Sequence, residues 1–567
     1  MSLVSVRDVL NGKFYMIPDY QRSYAWGKQQ VRDLFQDLVE ATKDEITHFL
    51  GTVVFSQTSR RNEYYVVDGQ QRLTTLMLLL KEVIERLPED DRNFYWRLYI
   101  CEDGRYRLQP QSKDKEFFFK LLEGESPEPL NISQRLLIDA QAEFKRLLDL
   151  LDVELKQFLK VIGETQILRF LEEEEGLAIR IFQTINDRGK PLSYLEKIKS
   201  YLMYISYRYF DCKHCNKIND LFGEIFEYYD EIKEKGKELG VDLIKKINFT
   251  EDSILRYHFV LISKENYDAT PEAIFAYLKR KIEEMKQQSD FEKLDDFIIS
   301  YVSNLHSCFL SLRNIIRRVE KEKLYYETFV CLGLSATLYP LLIALDKRNL
   351  LDKGISINGY QSKTFLEILR DVDIKVYKTR GTNPRADISR FSCDINTGEV
   401  SEEYIAKWLI SYINQWMPEG EFEHHLERNI YGNEAVPYLL IKYSEHLRGQ
   451  AYSLSDLKRL VSLNLTIEHI LPRDPNFDVK AYGFADERDY IKYKDRLGNL
   501  TLLSKAINSQ VKNKAPLDKT DYYDREDQLL EITKQLATKI KAQRSFDKQD
   551  VISRTKDIAS FIKGLLV

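Results

Sequence analysis

Cysteine is scarce in this chain, six residues in 567. A disulfide scaffold is thereby excluded, and the usage fits a reducing cytosol. Long apolar runs are missing as well. The longest, Leu76-Met77-Leu78-Leu79-Leu80, falls far short of the roughly 18 residues a membrane span requires. The start, Met1-Ser2-Leu3-Val4-Ser5-Val6-Arg7-Asp8, lacks the basic residues and apolar stretch of a signal peptide. The reading is a soluble, cytoplasmic protein. No charge of one sign dominates: Lys plus Arg is 84 against 89 for Asp plus Glu, a net charge of −5. That excludes a globally basic nucleic-acid binder and leaves room for a local basic surface. Tryptophan is rare, 4 residues against 35 tyrosines, so a segment that gathers both stands out. There is no internal repeat and no low-complexity tract. What is present is 43% hydrophobic and 31% charged, enough to bury a sizeable core beneath a densely charged surface. Disordered and collagen-like classes are excluded. At roughly 150 residues per domain the length suggests three or four units, which large helical domains would reduce to two.

The first part of the chain mixes strand and helix. Val31, Leu34, Phe35 and Leu38 follow i, i+3, i+4, i+7 spacing and predict a helix over 29–41. Gly51-Thr-Val-Val-Phe-Ser56 and Tyr64-Tyr-Val-Val67 predict strands. Asp68-Gly69 ends the second, and a helix bearing Leu73, Leu76, Leu80 and Val83 follows. Leu98-Tyr-Ile-Cys101 and Arg105-Tyr-Arg-Leu108 around Glu102-Asp103-Gly104 predict a hairpin. Ala178-Ile-Arg-Ile-Phe182 reads as a strand running into the turn Asn186-Asp-Arg-Gly-Lys-Pro191, with a helix starting at Leu192-Ser193. From about 200 to 450 the pattern is helical, broken at the basic loop Thr379-Arg-Gly-Thr-Asn-Pro-Arg385. The last block has a strand over 465–471, a second around 498–503, and helices to the end. The expected class is mixed α+β and helix-rich: an α/β N-terminal domain over 1–212, a helical middle over 213–450, and a small α+β domain over 451–567.

Glu468-His469-Ile-Leu-Pro472, Gly498-Asn499-Leu500 and Asn508 follow one another in that last block. Phosphodiester hydrolysis needs a base to activate water and positive charge on the scissile phosphate and leaving oxygen. A His beside a carboxylate divides those tasks. Neighbours on a strand point to opposite faces, so both serve one site only if the strand ends or bulges there, and Pro472 supplies a break. An Asn on the following helix completes oxygen coordination suited to Mg²⁺. Alone, His469 reads as an ordinary hydrogen-bonded histidine and Asn499 as a turn residue. Four polar residues in this order within about 45 positions favour a nuclease site. The segment resembles the HNH (His-Me finger) nucleases, with their ββα site. The resemblance implies His469 as general base, Asn499 as the residue pinning the hairpin that orients it, and Glu468 and Asn508 as ligands of Mg²⁺ (or Mn²⁺). Glu468 stands where Asp is commoner. No CxxC pair lies here, so zinc-stapled variants are excluded. Lys505, Lys512, Lys514 and Lys519 follow the motif and are expected to meet phosphate oxygens.

Asp68-Gly69-Gln70-Gln71-Arg72-Leu-Thr74-Thr75 sits between a strand and an apolar helix. That arrangement aims backbone N–H groups and the positive helix end at whatever occupies the turn. Gly69 permits close approach, Arg72 can fork onto phosphate, Thr74 or Thr75 can donate a hydroxyl, and Asp68 can hold Mg²⁺ or position water. Alone, Asp68 reads as a helix cap and Arg72 as a surface charge. No Walker A pattern is present. Ile17-Pro-Asp-Tyr20-Gln21-Arg22-Ser-Tyr24-Ala-Trp26 brings together aromatics, Arg and Gln, which stack on bases and hold phosphate, or else form a structural clamp. Phe49-Leu-Gly51 precedes the first strand, and Phe182-Gln-Thr-Ile-Asn-Asp-Arg188-Gly-Lys-Pro-Leu-Ser193 gives another Asn/Arg/Gly turn. Together these closely resemble the N-terminal domain of GmrSD-type type IV, modification-dependent restriction enzymes, a family that also includes Ssp-type effectors sensing phosphorothioate DNA. The resemblance implies a ParB/sulfiredoxin-like domain binding a nucleoside triphosphate through Asp68, Gly69, Gln70, Gln71, Arg72, Thr74 and Arg188. Tyr20, Gln21, Arg22, Tyr24 and Trp26 would sense the DNA mark. Glu196 stands where the family more often has Asp. The stretch 215–450 carries no motif that maps.

The expectation is a modification-dependent DNA endonuclease of anti-phage defence, an NTP-hydrolysing sensor controlling a Mg²⁺-dependent HNH nuclease. Its expected partners are double-stranded DNA, modified phage DNA in particular, and an NTP. No membrane is expected, and a homo-oligomer stays open. Two alternatives remain: a nucleotide-dependent DNA-binding regulator without cleavage, and an RNA-directed HNH nuclease. Cys212-Lys-His-Cys215 has half the spacing of a metal site without a second pair, and reads as a loop with coincidental cysteines. Lys375, Lys378, Arg380 and Arg385 are weaker candidates for DNA contact.

Overall fold

The computed structural model describes residues 2–18, 21, 23–110, 112–172, 193–245, 249–264, 268–355, 362–418, 420–525 and 530–566. The protein is helix-rich and mixed α+β. Its contacts divide it into two units, Met1–Asp230 with Phe275–His306, and Glu231–Ile274 with Ser307–Val567. The stretch read as a helical middle contributes to both.

A six-stranded mixed sheet organises the first unit. Its strands are β1 (Ser2–Ser5), β2 (Phe14–Met16), β3 (Phe49–Gln57), β4 (Glu63–Asp68), β5 (Leu108–Gln109) and β6 (Gln166–Glu172). Their order is β1-β6-β3-β4-β2-β5. β3 runs antiparallel to β4 and parallel to β6, and β2 lies parallel to β4. Helices α1 (Lys28–Lys43), α2 (Gln70–Glu85), α3 (Ile132–Asp149) and α4 (Leu155–Glu164) pack together. The periodic residues Val31, Leu34, Phe35 and Leu38 of α1, and Leu73, Leu76, Leu80 and Val83 of α2, all enter one core with Val53, Phe55 and Val66 of the sheet. The hairpin expected over 98–108 is shorter than its composition suggests. Helix starts at Glu89, with Glu89, Asp90 and Asp91 complementing its N-terminus, and continues to Tyr99. Only Cys101–Glu102 and Arg105–Tyr106 pair. The strand read at 178–182 and the turn at 186–191 fall outside the described residues. Ser193 caps α5 (Tyr194–Phe210): its hydroxyl accepts Glu196 N–H at 3.3 Å, and the Glu196 carboxylate accepts Ser193 N–H at 2.9 Å. Glu at this position thus completes a capping box. α6 (Cys215–Leu239) follows after a reversal through Asp211 and Cys212, both left-handed.

Apart from the short antiparallel pair Gly354–Ile355 and Lys363–Thr364, the second unit is helical up to its last hundred residues, with α7 (Glu251–Ile262), α8 (Tyr339–Lys347), α9 (Arg385–Thr397) and α10 (Val436–Arg448). Two π-helical turns, Glu327–Cys331 and Asp373–Thr379, carry buried carboxylates. The basic loop is not a free cationic surface. Lys378 is held by Gly333 O and Glu434, Arg380 by Glu421, and Arg385 by Asp268, while Lys375 lies over the Phe422 ring. Then come β7 (Leu465–His469) and β8 (Leu500–Ser504), antiparallel with Glu468 opposite Thr501 and His469 opposite Leu500. Helices α11 (Lys505–Val511), α12 (Pro516–Tyr523), α13 (Glu531–Gln543) and α14 (Lys548–Leu565) complete the chain. Ile470, Leu471, Leu503, Ile507, Tyr523, Leu536 and Val551 share a core beneath them. Among the described residues no helix is long and apolar enough to cross a membrane.

Candidate active site

His469 is the last residue of β7 and is 7% exposed. Its Nε2 lies 2.9 Å from Asp495 Oδ1. A carboxylate only accepts, so the ring carries its proton on Nε2 and presents the Nδ1 lone pair. Burial pushes the imidazole below its ordinary pKa of 6.5, with Asp495 acting the other way, so it is neutral and basic at pH 7. Asp495 also faces Arg473, 3.6 Å away. Tyr431 packs on the imidazole at 4.5 Å between ring centroids, and the Arg473 guanidinium lies 5.0 Å over Tyr431. Asp495, Arg473 and Tyr431 carry no motif signal in the sequence.

Asn499 is fully buried and holds the turn after the histidine. Its Oδ1 accepts Leu471 N–H at 2.8 Å, and its Nδ2 donates to Leu471 O at 2.8 Å and Lys494 O at 2.7 Å. Ile470 N–H donates to Asn499 O at 2.9 Å, so ladder-like pairing continues past the end of β7. Gly498 precedes it because α14 lies directly against the backbone: a Cβ there would sit 2.1 Å from Val551 O. Arg554 of α14 donates to both Gly498 O and Leu500 O at 2.7 Å. The two strands and α11 follow in strand–strand–helix order.

Glu468 points away from His469, as strand alternation requires. Lys519 Nζ donates to Glu468 Oε1 at 2.7 Å and to His469 O at 2.6 Å, and the Tyr523 hydroxyl donates to the same Oε1 at 3.2 Å. Burial raises the Glu468 carboxyl and lowers the Lys519 ammonium, while their mutual attraction opposes both shifts. Lys519 is wholly buried, which corrects its expected place on a DNA-facing surface: an ammonium shut in with a carboxylate cannot meet phosphate from solvent. Lys505 and Lys512 are exposed, and Lys514 is half-buried over Tyr522, 4.3 Å from its ring. Asn508 Nδ2 donates to Thr466 Oγ1 at 2.9 Å and Ile467 O at 3.1 Å. Thr466 and Glu468 share a strand face, so Asn508, bonded to Thr466, and Glu468 lie on the same side of β7. A carboxylate oxygen and an amide oxygen are donors that suit Mg²⁺ or Mn²⁺.

In the first unit Gly69, at φ +91°, turns the chain from β4 into α2, with no side-chain cap on that helix. A Cβ at Gly69 would lie 2.8 Å from Val53 Cγ2. Arg72 donates to Leu50 O at 3.1 Å and lies 3.7 Å from Asp68. Burial raises the Asp68 carboxyl, with Arg72 acting against it. Gln71 is taken up internally, accepting Ala25 N–H at 2.8 Å and donating to Ser23 O at 3.0 Å. Gln70 and Thr74 line a small crevice with Ser23, Tyr24 and Asp114. Of the residues expected to read DNA, Tyr24 and Gln21 bond within the fold. Tyr24 is buried with its hydroxyl 2.8 Å from Thr75 Oγ1, and Gln21 donates to Val67 O at 2.9 Å. Trp26 is half-buried against the core. Tyr20, Arg22 and Arg188 lie outside the described residues.

The first unit is built on a mixed sheet, and the second ends in a hairpin and helices around a buried His–Asp pair. Two family models match the chain: the GmrSD restriction endonuclease N-terminal domain over residues 6–203, and the GmrSD restriction endonucleases C-terminal domain over residues 417–561. The chain belongs to the GmrSD restriction endonucleases, and DNA is its partner. No curated protein matches it.

Proposed function

We propose that this restriction nuclease is modification-dependent and acts in anti-phage defence, cutting DNA at an HNH-type site under the control of an NTP-hydrolysing N-terminal module. The observation that carries the cutting half is the His469–Asp495 pair. Nδ1 of a neutral, buried His469 takes the proton from water as the water oxygen attacks phosphorus; the P–O bond to the leaving sugar oxygen breaks, and that oxygen takes a proton from solvent. Asp495 holds the ring in the required tautomer and balances the imidazolium that results. Asn499 fixes the backbone on which the ring sits, and Arg473, half-exposed beside Tyr431, is placed for a phosphate oxygen. Glu468 and Asn508 would hold Mg²⁺ or Mn²⁺, which would supply positive charge to the phosphate; because Glu468 leaves β7 on the face opposite His469 and is held by Lys519, it would have to exchange that bond for the metal to serve the same site. In the N-terminal module the first amides of α2, Gln70 and the remaining donors of Arg72 form the phosphate-facing set. The module over 1–212 senses, and the domain over 451–567 cuts.

The test is a cleavage panel: purified protein with Mg²⁺ and each NTP, on unmodified, methylated, glycosylated and phosphorothioate DNA, with RNA alongside. Cutting of one modified DNA, lost in His469→Ala, is the expected result. Nucleotide and DNA binding without strand breaks in any arm would make the chain a regulator. Preferential RNA cutting would make it an RNA nuclease.

A further inference from the structure

The motif Cys212-Lys213-His214-Cys215 has no part in either site above. Sequence spacing alone suggests unrelated cysteines, and the structure corrects this: the two sulfurs are bonded, with Cα atoms 5.0 Å apart. We propose that Cys212 and Cys215 are a reversible dithiol–disulfide couple, a redox modification site that exchanges with low-molecular-weight disulfides and thiols.

The geometry of the loop separates the roles of the two sulfurs. Cys212 is half-exposed on the reversal between α5 and α6, and Cys215, 6% exposed, is the first residue of the 25-residue α6. The N-terminus of a long helix stabilises a thiolate, and C-x-x-C spacing lets a second sulfur resolve a mixed disulfide formed on the first. Asp211 and Cys212 both have positive φ, 46° and 59°. That bend returns the chain so that Cys215 N–H donates to Cys212 O at 3.0 Å and His214 N–H to Ser206 Oγ at 3.2 Å. Lys213 Nζ donates to Asp295 Oδ2 at 2.6 Å, and the His214 ring bonds the other oxygen of the same carboxylate. The loop is thus tethered by its middle residues while both cysteines stay in register. The remaining thiols are built differently. Cys308 and Cys393 are buried, Cys101 and Cys331 half-buried, and burial raises all four, Cys308 and Cys331 to about 12. Thiols held protonated in this way are poor nucleophiles.

The exchange balances without a further reactant. The Cys212 thiolate attacks one sulfur of a small disulfide, forms a mixed disulfide and expels one thiolate. The Cys215 thiolate then attacks Cys212 Sγ and expels the second. The protein dithiol loses two electrons, and the small disulfide gains them and leaves as two thiols.

The test equilibrates the full-length protein, without air, in mixtures of reduced and oxidised glutathione from wholly reducing to wholly oxidising. Samples are quenched with acid, labelled with a maleimide and mapped by peptide mass spectrometry. Expected is the joint, reversible loss of label from Cys212 and Cys215 as the mixture becomes oxidising, with Cys101, Cys308, Cys331 and Cys393 unchanged. Cys215→Ser, shown folded by circular dichroism, should accumulate glutathione on Cys212. Labelling of both cysteines in every mixture would overturn the proposal, as would protection in every mixture, which marks a purely structural bond. Protection under reducing conditions that a chelator removes would mark a metal site and overturn it equally.

Discussion

His469 Nε2 and Asp495 Oδ1 meet at 2.9 Å across 26 residues of sequence, and the turn fixed by Asn499 is what closes that loop. An Asn at 495 keeps the shape and removes the negative charge and the obligatory acceptor. Asp495→Asn should lower kcat by roughly 10²–10⁴-fold, because the amide permits the wrong ring tautomer and no longer balances the imidazolium, with little change in KM for DNA. Steady-state cleavage by both proteins, with circular dichroism to confirm the fold, measures it. An equal rise in KM with kcat unchanged would make Asp495 a DNA contact instead.

The pH profile follows from the same pair. Burial lowers the His469 pKa below 6.5 and Asp495 raises it. Only the neutral ring accepts a proton, so kcat/KM should rise with pH through a midpoint below 6.5 and then level off. Removing the carboxylate takes away the raising influence, so in Asp495→Asn the residual activity should have its acid limb at still lower pH. A limb that moves upward in the variant would contradict this assignment of the charges.

How legible this site is in the sequence depends on the distance over which each residue acts. Glu468, His469, Asn499 and Asn508 occupy one hairpin and its helix, and their order carries the reading. Asp495 lies between Lys494 and Arg496 and reads as one more surface charge, because only closure of the hairpin brings it to His469. Lys519 misleads for the opposite reason: it follows three lysines that suggest a basic surface. A signal against that surface is available, since Pro516, Lys519, Thr520 and Tyr523 recur at i, i+3, i+4, i+7 and form the buried face of α12. In the first unit β3, β4, α1 and α2 are readable from β-branched runs and helical periodicity. Strands β1 and β2 are too short to show a period, and their identity comes from sheet partners far along the chain. The aromatic segment around Tyr24 permits both clamp and reader by composition, and burial decides for Tyr24.

The Lys519–Glu468 pair makes a prediction that separates interior from surface lysines. Lys519→Met leaves a buried carboxylate without its partner and should cost about 3–5 kcal/mol of stability, and the double variant with Glu468→Gln should recover much of it. Urea unfolding of Lys519→Met, Glu468→Gln, the double variant and the parent gives these values. The salt dependence of DNA binding should be untouched by Lys519→Met in protein that remains folded. Lys505→Ala and Lys512→Ala should each shallow the slope of log K against log salt by about 0.9 where they contact a phosphate. A shallower slope for Lys519→Met alone would return that residue to the DNA surface.

The last prediction concerns the division of labour between the two modules. Asp68 and Arg72 belong to the segment matching the N-terminal domain, residues 6–203, and His469 to that matching the C-terminal domain, residues 417–561. Arg72 links Leu50 O, at the start of β3, to Asp68 at the end of β4, so its loss disturbs the turn that precedes α2. Asp68→Ala and Arg72→Ala should therefore abolish NTP hydrolysis while leaving the His469–Asp495 pair and its surroundings intact. His469→Ala should do the reverse, cutting at a rate lower by roughly 10²–10⁴-fold with hydrolysis preserved. If nucleotide gates cutting, a coupling free energy connects the sites, and the Asp68 and Arg72 variants should also lose NTP-dependent cleavage. Hydrolysis and DNA cleavage measured on all three variants, each checked for folding, decide the matter. Loss of hydrolysis in folded His469→Ala as complete as that in Asp68→Ala would sink the two-site model.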